Sequence, residues 1–167
     1  MLTVRTALKT DLPAIMKVLE AARQIMISSG NPNQWAKGYP TGEMVLGDIG
    51  PGYGKVLEEN GEVAGYFACI PSPDPTYAVI EGGSWLEDET PYYVIHRIAS
   101  YPNVHGVFKT MMAYMEGVTD NIRIDTHKDN RIMQHNLAKS GFTYCGIIHI
   151  ASGAERLAYQ RLQKQGQ

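Results

Sequence analysis

The sequence predicts a mixed α/β (α+β) fold, one sheet layered with helices. Three observations carry that reading. A short alternating run at 2–6 leads into apolar residues at helical spacing over 12–26. An Asn60-Gly61 pair separates two strand-like runs. Beyond residue 92, strand-like and helical stretches alternate and close on two strands, giving the order β-α-α-β-β-β-α-β-α-β-β. At 167 residues, the chain 1–167 reads as one domain.

Each element has a local reason. Thr10 or Asp11 can cap the first helix, and Pro13 is tolerated in its first turn. Leu12, Ile15, Met16, Leu19, Ala22, Ile25 and Met26 share one face until the breaker cluster Gly30-Asn31-Pro32. A weaker helical stretch covers 41–49. The glycines from Gly47 to Gly54 read as a turn before the hairpin; Val56 follows Lys55, so they form no phosphate loop of the Gly-Lys-Ser/Thr kind. Asn60-Gly61 suits a type I′ turn because both residues accept positive φ, pairing 55–59 with 62–70. Residues 71–91 carry Pro71, Pro73, Pro75 and Pro91 and read as loop. Gly82-Gly83-Ser84-Trp85-Leu86 lacks the second glycine of a nucleophile elbow. A strand is expected at 92–100, and a helix from about 104 with Val104, Val107, Phe108, Met111, Met112 and Met115 on one stripe. Then come a strand at 121–126, a helix at 130–140 stopped by Gly141, and strands at 142–150 and 155–162 joined through Ser152-Gly153. The last of these is expected to leave an edge free to pair.

Composition excludes several classes. The formal charge of −2 supplies no basic field for nucleic acid or an anionic membrane, so neither is expected as a partner. Cys69 and Cys145 lie inside apolar runs and read as buried thiols of a reducing compartment. No run reaches the length of a membrane span, and residues 1–5 do not look like a signal peptide, so the cytoplasm is the expected location. No metal is expected. Asp125, His127 and Asp129 alternate through a strand end without completing a ligand set.

Three segments carry a resemblance. NGEVAGYFACI (60–70), VIHRIASYPNVHG (94–106) and HKDNRIMQHNLAKSGFTYCG (127–146) look, in order and spacing, like the central hairpin, the cofactor strand–loop–helix and the Asn-plus-helix segment of the GNAT superfamily of N-acetyltransferases. The resemblance implies a mostly antiparallel sheet of about six to seven strands, flanked by helices, with a V-shaped cleft between the fourth and fifth. It also implies transfer of an acetyl group from acetyl-CoA to a primary amine of a small molecule or peptide, by direct attack in a ternary complex.

The resemblance assigns residues as well. The pyrophosphate would meet His105, Gly106, Val107, Phe108, Lys109 and Thr110, where a helix N-terminus offers free N–H groups. Only Gly106 keeps the family's glycine-rich pattern there; Phe108 stands at a second glycine position. Ile98, Ala99 and Ser100 would hold the thioester and pantetheine arm through backbone groups, and Asn130 would touch that arm or cap its helix. His96, placed by strand alternation on the face of Ile98, is the candidate base, since an imidazole suits neutral pH; the alternative is a half-buried strand histidine with a satisfied hydrogen bond. The tyrosine that many relatives carry seven residues after the Asn is here Leu137, and Tyr114 and Tyr144 read as packing residues. Lys109, Lys128 and Arg131 could pair with cofactor phosphates or be solvated, and His135 could meet the cofactor side but reads as a surface group. Trp35, Tyr39, Tyr66 and Trp85 could wall an acceptor pocket or cover the core edge. The altered loop and Leu137 keep a second reading open, a non-catalytic ligand-binding or sensory protein of the same fold. A plain α/β interaction domain would lack the cleft. Pairing of two copies into a homodimer through C-terminal strands or helices is compatible with the resemblance, and so is a monomer.

Overall fold

The computed structural model describes residues 1–163. Its strands are β1 (Thr3–Thr6), β2 (Gly54–Glu59), β3 (Glu62–Pro71), β4 (Tyr93–Ser100), β5 (Asn121–Thr126), β6 (Thr143–His149) and β7 (Glu155–Leu162). Its helices are α1 (Leu12–Ser28), α2 (Gly42–Ile49), α3 (Val107–Glu116) and α4 (Arg131–Lys139). The strands form one open sheet in the order β1-β2-β3-β4-β5-β7-β6. Every pairing is antiparallel except β4 with β5. The seven-stranded mixed sheet with helices on its faces is the architecture the sequence leads one to expect.

The hairpin forms as its sequence requires. Asn60 (φ 53°) and Gly61 (φ 78°) both sit in the left-handed region, joining β2 to β3. Thr41 caps α2 by accepting from Met44 N at 3.1 Å. Asp11 precedes α1 but does not cap it. Its carboxylate takes Arg5 at 2.8 and 2.9 Å and the Leu8 N–H at 2.7 Å, tying β1 to the helix start.

Three boundaries differ from expectation. Gly47 lies inside α2 rather than in a turn. The third helix begins at Val107, because Val104 N turns back to Tyr101 O and Gly106 (φ 77°) reverses the chain in a conformation that costs other residues energy. The C-terminal strand β7 is not an edge. It inserts between β5 and β6, so β1 and β6 are the sheet edges.

Both faces are covered. Ile15, Val18 and Leu19 of α1 with Val45 and Ile49 of α2 pack on Val56, Tyr66 and Ala99. Met111 and Met115 of α3 with Leu137 of α4 pack on the opposite side, against Leu57, Phe67, Ile95, Ile122 and Ile124. A third cluster sits on the α1/α2 side of the other half-sheet. There the 72–92 segment lays Tyr77 and Trp85 over Val94, Cys145, Ile148 and Ala158. Arg123 pins that segment: buried to 1% exposure, its guanidinium lies between the rings of Trp85 (4.0 Å) and Tyr92 (3.9 Å) and donates to Glu87 O at 2.9 Å. Cys69 and Cys145 are buried free thiols. No described helix is long and apolar enough to cross a membrane.

Candidate active site

The site begins where the sheet comes apart. β4 and β5 pair only at Tyr93–Ile122 and Val94–Arg123, so from Ile95 onward the β4 edge has no ladder partner in β5. Backbone polar groups seek partners, so the split leaves donors and acceptors ready for a ligand. This is the V-shaped opening, the feature a plain interaction domain lacks.

A bulge then re-aims β4. Tyr66 pairs with Ala99 but Ala68 with His96, so Arg97 and Ile98 together face one residue of β3, and Arg97 takes φ 56°. The bulge breaks the alternation. Ile95 and Ile98 point toward α3 and α4, whereas Val94 and Ala99 pack on the α1/α2 side. His96 alternates with Ile95 and therefore shares the side of Val94, not that of Ile98. The expected common face for His96 and Ile98 is thus corrected by one inserted residue.

Two cavities flank the split. The larger, about 630 Å³, is lined by His96, Asp74, Arg97, Tyr39, Asp125 and Arg156 among others. The smaller, about 200 Å³, is lined by Ile98, Ala99, Ser100, Val107, Phe108, Asn130 and neighbours. Met26, Ile98, Asn130 and Met133 line both, so the cavities meet at the opening.

In the larger cavity, His96 Nε2 lies 3.1 Å from Asp74 Oδ2. Asp74 Oδ1 also accepts from the Thr76 N–H (2.9 Å) and hydroxyl (2.7 Å), and its own N–H donates to the Tyr92 hydroxyl at 3.0 Å. Burial pushes the Asp74 carboxyl up, but the bonds from His96 and Thr76 outweigh it and hold it at about 2. A carboxylate ionised at neutral pH accepts from the imidazole and fixes its ring orientation. Arg97 is neutralised: its guanidinium donates to Asp48 at 2.9 and 2.6 Å, and Asp48 also accepts from the Tyr66 hydroxyl at 2.7 Å. Asp125 accepts from the Tyr77 hydroxyl at 2.7 Å.

On the smaller cavity's side, the first turn of α3 presents the N–H groups of Val107, Phe108 and Lys109, which have no intrahelical acceptor. Thr110 already donates its N–H to Gly106 O at 2.9 Å, leaving its hydroxyl free of the helix ladder. His105, Gly106 and Lys109 are exposed at the rim. Phe108 is half-buried, packed against the α3/α4 core while lining the cavity. A group with a diphosphate and a thin amide-bearing arm fits this donor set: free helix N–H groups at one end, unpaired strand backbone at the other. Asn130 caps α4 by accepting from Met133 N at 3.0 Å, and its amide donates to Gln34 Oε1 at 2.9 Å. Leu137 is fully buried in the core, and Tyr114 and Tyr144 line neither cavity. Among the candidate aromatics, Trp35 and Tyr39 line the larger cavity, Tyr66 is buried beneath α1 and α2, and Trp85 stacks on Arg123. His135, Lys128 and Arg131 are exposed. Among the described residues, no three His, Cys, Asp or Glu side chains converge as a metal site would require.

Sequence reasoning did not find Asp74, Gln34 or Arg156. Asp74 stands between two prolines of a loop, 22 residues before His96. Gln34 also bridges to Asn31 at 2.9 Å, so it links the 31–40 loop to α4 across the opening. Only the Pro-Asp-Pro turn offered a local signal.

No protein-family model and no curated protein matches the chain. Solved structures do. A GNAT-family acetyltransferase from Streptococcus agalactiae is 33% identical, with 98% of this chain and 96% of that one covered at a TM-score of 0.88. A GNAT-family acetyltransferase from Listeria monocytogenes is 19% identical over 96% and 94% of the two chains, at 0.67. A ribosomal-protein-alanine N-acetyltransferase from Brucella melitensis is 16% identical over 95% and 98%, at 0.62. The last two likenesses establish the fold alone.

Proposed function

Because the chain belongs to the GNAT family of acetyltransferases, we propose that it moves an acetyl group from acetyl-CoA to a primary amine of a small molecule or peptide, by direct attack in a ternary complex. The observation that carries this reading is the His96–Asp74 pair, held in a cavity that meets the smaller one at Ile98, Asn130 and Met133.

Acetyl-CoA supplies a thioester activated toward amines. The chain's residues do the rest. The N–H groups of Val107, Phe108 and Lys109, with the exposed His105 and Lys109 side chains, receive the diphosphate. These groups belong to the backbone, so Phe108 alters the loop's shape without removing a donor. Backbone groups of Ile98, Ala99 and Ser100 position the acetyl end and polarise its carbonyl, the kind of preorganised donor set that stabilises developing negative charge. The acceptor enters from the α1/α2 side. An alkylamine with a pKa of about 10 is mostly protonated at neutral pH, so it must lose a proton before it attacks. His96 accepts that proton directly or through one water, while Asp74 orients its ring and stabilises the imidazolium. α4 offers no proton donor, since Leu137 is core. Tyr39 is the phenol among the cavity's described lining residues and is the proposed donor to the leaving sulfur.

Thiol release from acetyl-CoA with a panel of primary amines tests the reading. We expect saturable turnover, reduced about 100-fold or more in His96→Gln, with CoA affinity by calorimetry unchanged within a few-fold. Absence of thiol release with every amine, or full activity in His96→Gln, would overturn the assignment.

A further inference from the structure

Arg156 stands apart among the arginines as the buried one without a carboxylate partner among the described residues; Arg131 also lacks one there but is exposed to solvent. Arg5, Arg23, Arg97, Arg123 and Arg161 each lie within 4.0 Å of a carboxylate. Arg156 is 7% exposed, lines the larger cavity, and has no carboxylate within that distance among the described residues. Its guanidinium donates to two backbone carbonyls, Glu155 O at 2.9 Å and Gln34 O at 3.2 Å. A guanidinium has five N–H donors and does not lose its proton, so burying it without a counter-charge is costly unless an anion arrives.

The sheet explains why this charge waits in the site. Asp125 pairs with Ala158 on β7, so Arg156 occupies the diagonal position on the same face. Asp125 lends its field to Arg156, but its carboxylate is engaged by Tyr77. His96 lies on that same face across the split. Among its described lining residues the cavity therefore carries the proposed proton-accepting pair, His96 and Asp74, on one side and, on β5 and β7, the Tyr77-bound Asp125 beside the cation Arg156. Arg97 contributes no net charge because Asp48 neutralises it.

We infer that the acceptor is a small amino carboxylate, an amino acid or close derivative, whose carboxylate is held by Arg156 while its amine faces His96 and Asp74. One guanidinium matches one monoanion, and a fork of parallel donors matches a planar carboxylate. A phosphate dianion would bring excess charge next to Asp74 and Asp125. The inference rests on the acetyltransferase reading for the fate of the amine; the anion site itself is testable without turnover.

The probes are free amino acids, their primary amides and inorganic phosphate, titrated into the full chain in the presence of CoA and followed by ligand-observed NMR and calorimetry. We expect at least one amino acid to saturate below about 10 mM, a range that calorimetry and NMR still read. Its amide should bind about 10- to 100-fold more weakly, the usual effect of losing a charge-assisted contact. Arg156→Gln should abolish that acid-over-amide preference and Arg156→Lys should restore part of it. The wild-type comparison of acid with amide decides the matter even if Arg156→Gln does not fold. Equal binding of acids and amides, saturation by none, or preference for phosphate would overturn the inference. Acetylation of amines regardless of carboxylate and indifferent to Arg156→Gln would also remove it, and leave the acetyltransferase reading standing. Persistent acid-over-amide binding without thiol release from any amine would support the anion site and remove the acetyl-transfer reading.

Discussion

His96 and Asp74 form a hydrogen-bonded pair from residues that neither helix nor strand periodicity connects. The Asp74 carboxyl, ordinarily near 3.8, is held at about 2 against the cost of its burial. Its folded-state pKa is depressed, so the unfolded chain binds the proton more readily. The stability that Asp74 contributes is complete above the ordinary carboxylate range and is lost as pH falls from about 4 through about 2. The stability difference between wild type and Asp74→Asn, read from thermal melts, should therefore shrink as pH falls from about 4 to about 2. A difference that grew over that range would contradict the depressed Asp74 carboxyl. Arg97 and Asp48 are a second and more deeply buried pair that neutralise each other and tie the β4 bulge to α2. The bulge is thereby anchored from a helix rather than from within the sheet.

At the scale of elements, two devices shape the opening: the bulge in β4 and the start of α3. The bulge inserts one residue, which sends His96 and Ile98 to opposite sides of the sheet. In the proposed mechanism one strand then serves the acceptor from one side and the coenzyme from the other. The start of α3 depends on Gly106, whose φ of 77° lets the chain reverse before the helix. Gly106→Ala should cost about 1 kcal/mol or somewhat more in stability and weaken CoA binding measurably by calorimetry, because it disturbs the backbone that carries the donors. Phe108→Ala should change CoA affinity by only a few-fold, since the N–H at position 108 survives the substitution. A far larger loss in Phe108→Ala than in Gly106→Ala would mean that the ring, not the backbone, contacts the coenzyme. The order of the C-terminal strands is an element-level fact too. With β7 between β5 and β6, Arg156 faces the site instead of solvent.

At the scale of the whole molecule, the long 72–92 segment behaves as a fixed wall. Trp85 and Tyr92 clasp Arg123 of β5, and the Tyr92 hydroxyl in turn accepts from Asp74 N. The catalytic carboxylate of the proposed mechanism is thus positioned by a cation–π clasp on the neighbouring strand. Arg123→Gln should raise amide hydrogen exchange across 72–92 and lower kcat, while leaving exchange in α3 and CoA affinity near wild type. Unchanged exchange in that segment would show that its own apolar packing suffices.

Much of this molecule was legible in the chain alone. Helical spacing over 12–26, the Asn60-Gly61 turn and the alternation of strands and helices after 92 encode the elements, because each depends on neighbours within a few residues. Three segments in order pointed to the family, which the likeness at 33% identity bears out. What the tertiary structure alone decided is which side chains meet. The bulge at Arg97 overrode simple alternation, the insertion of β7 turned an expected edge into an interior strand, and loop closure brought Asp74 to His96 and Gln34 to Asn130. Local patterns report which face of an element is apolar. They do not report which distant loop folds over that face, since the contact free energy that decides it arises only after the sheet has formed.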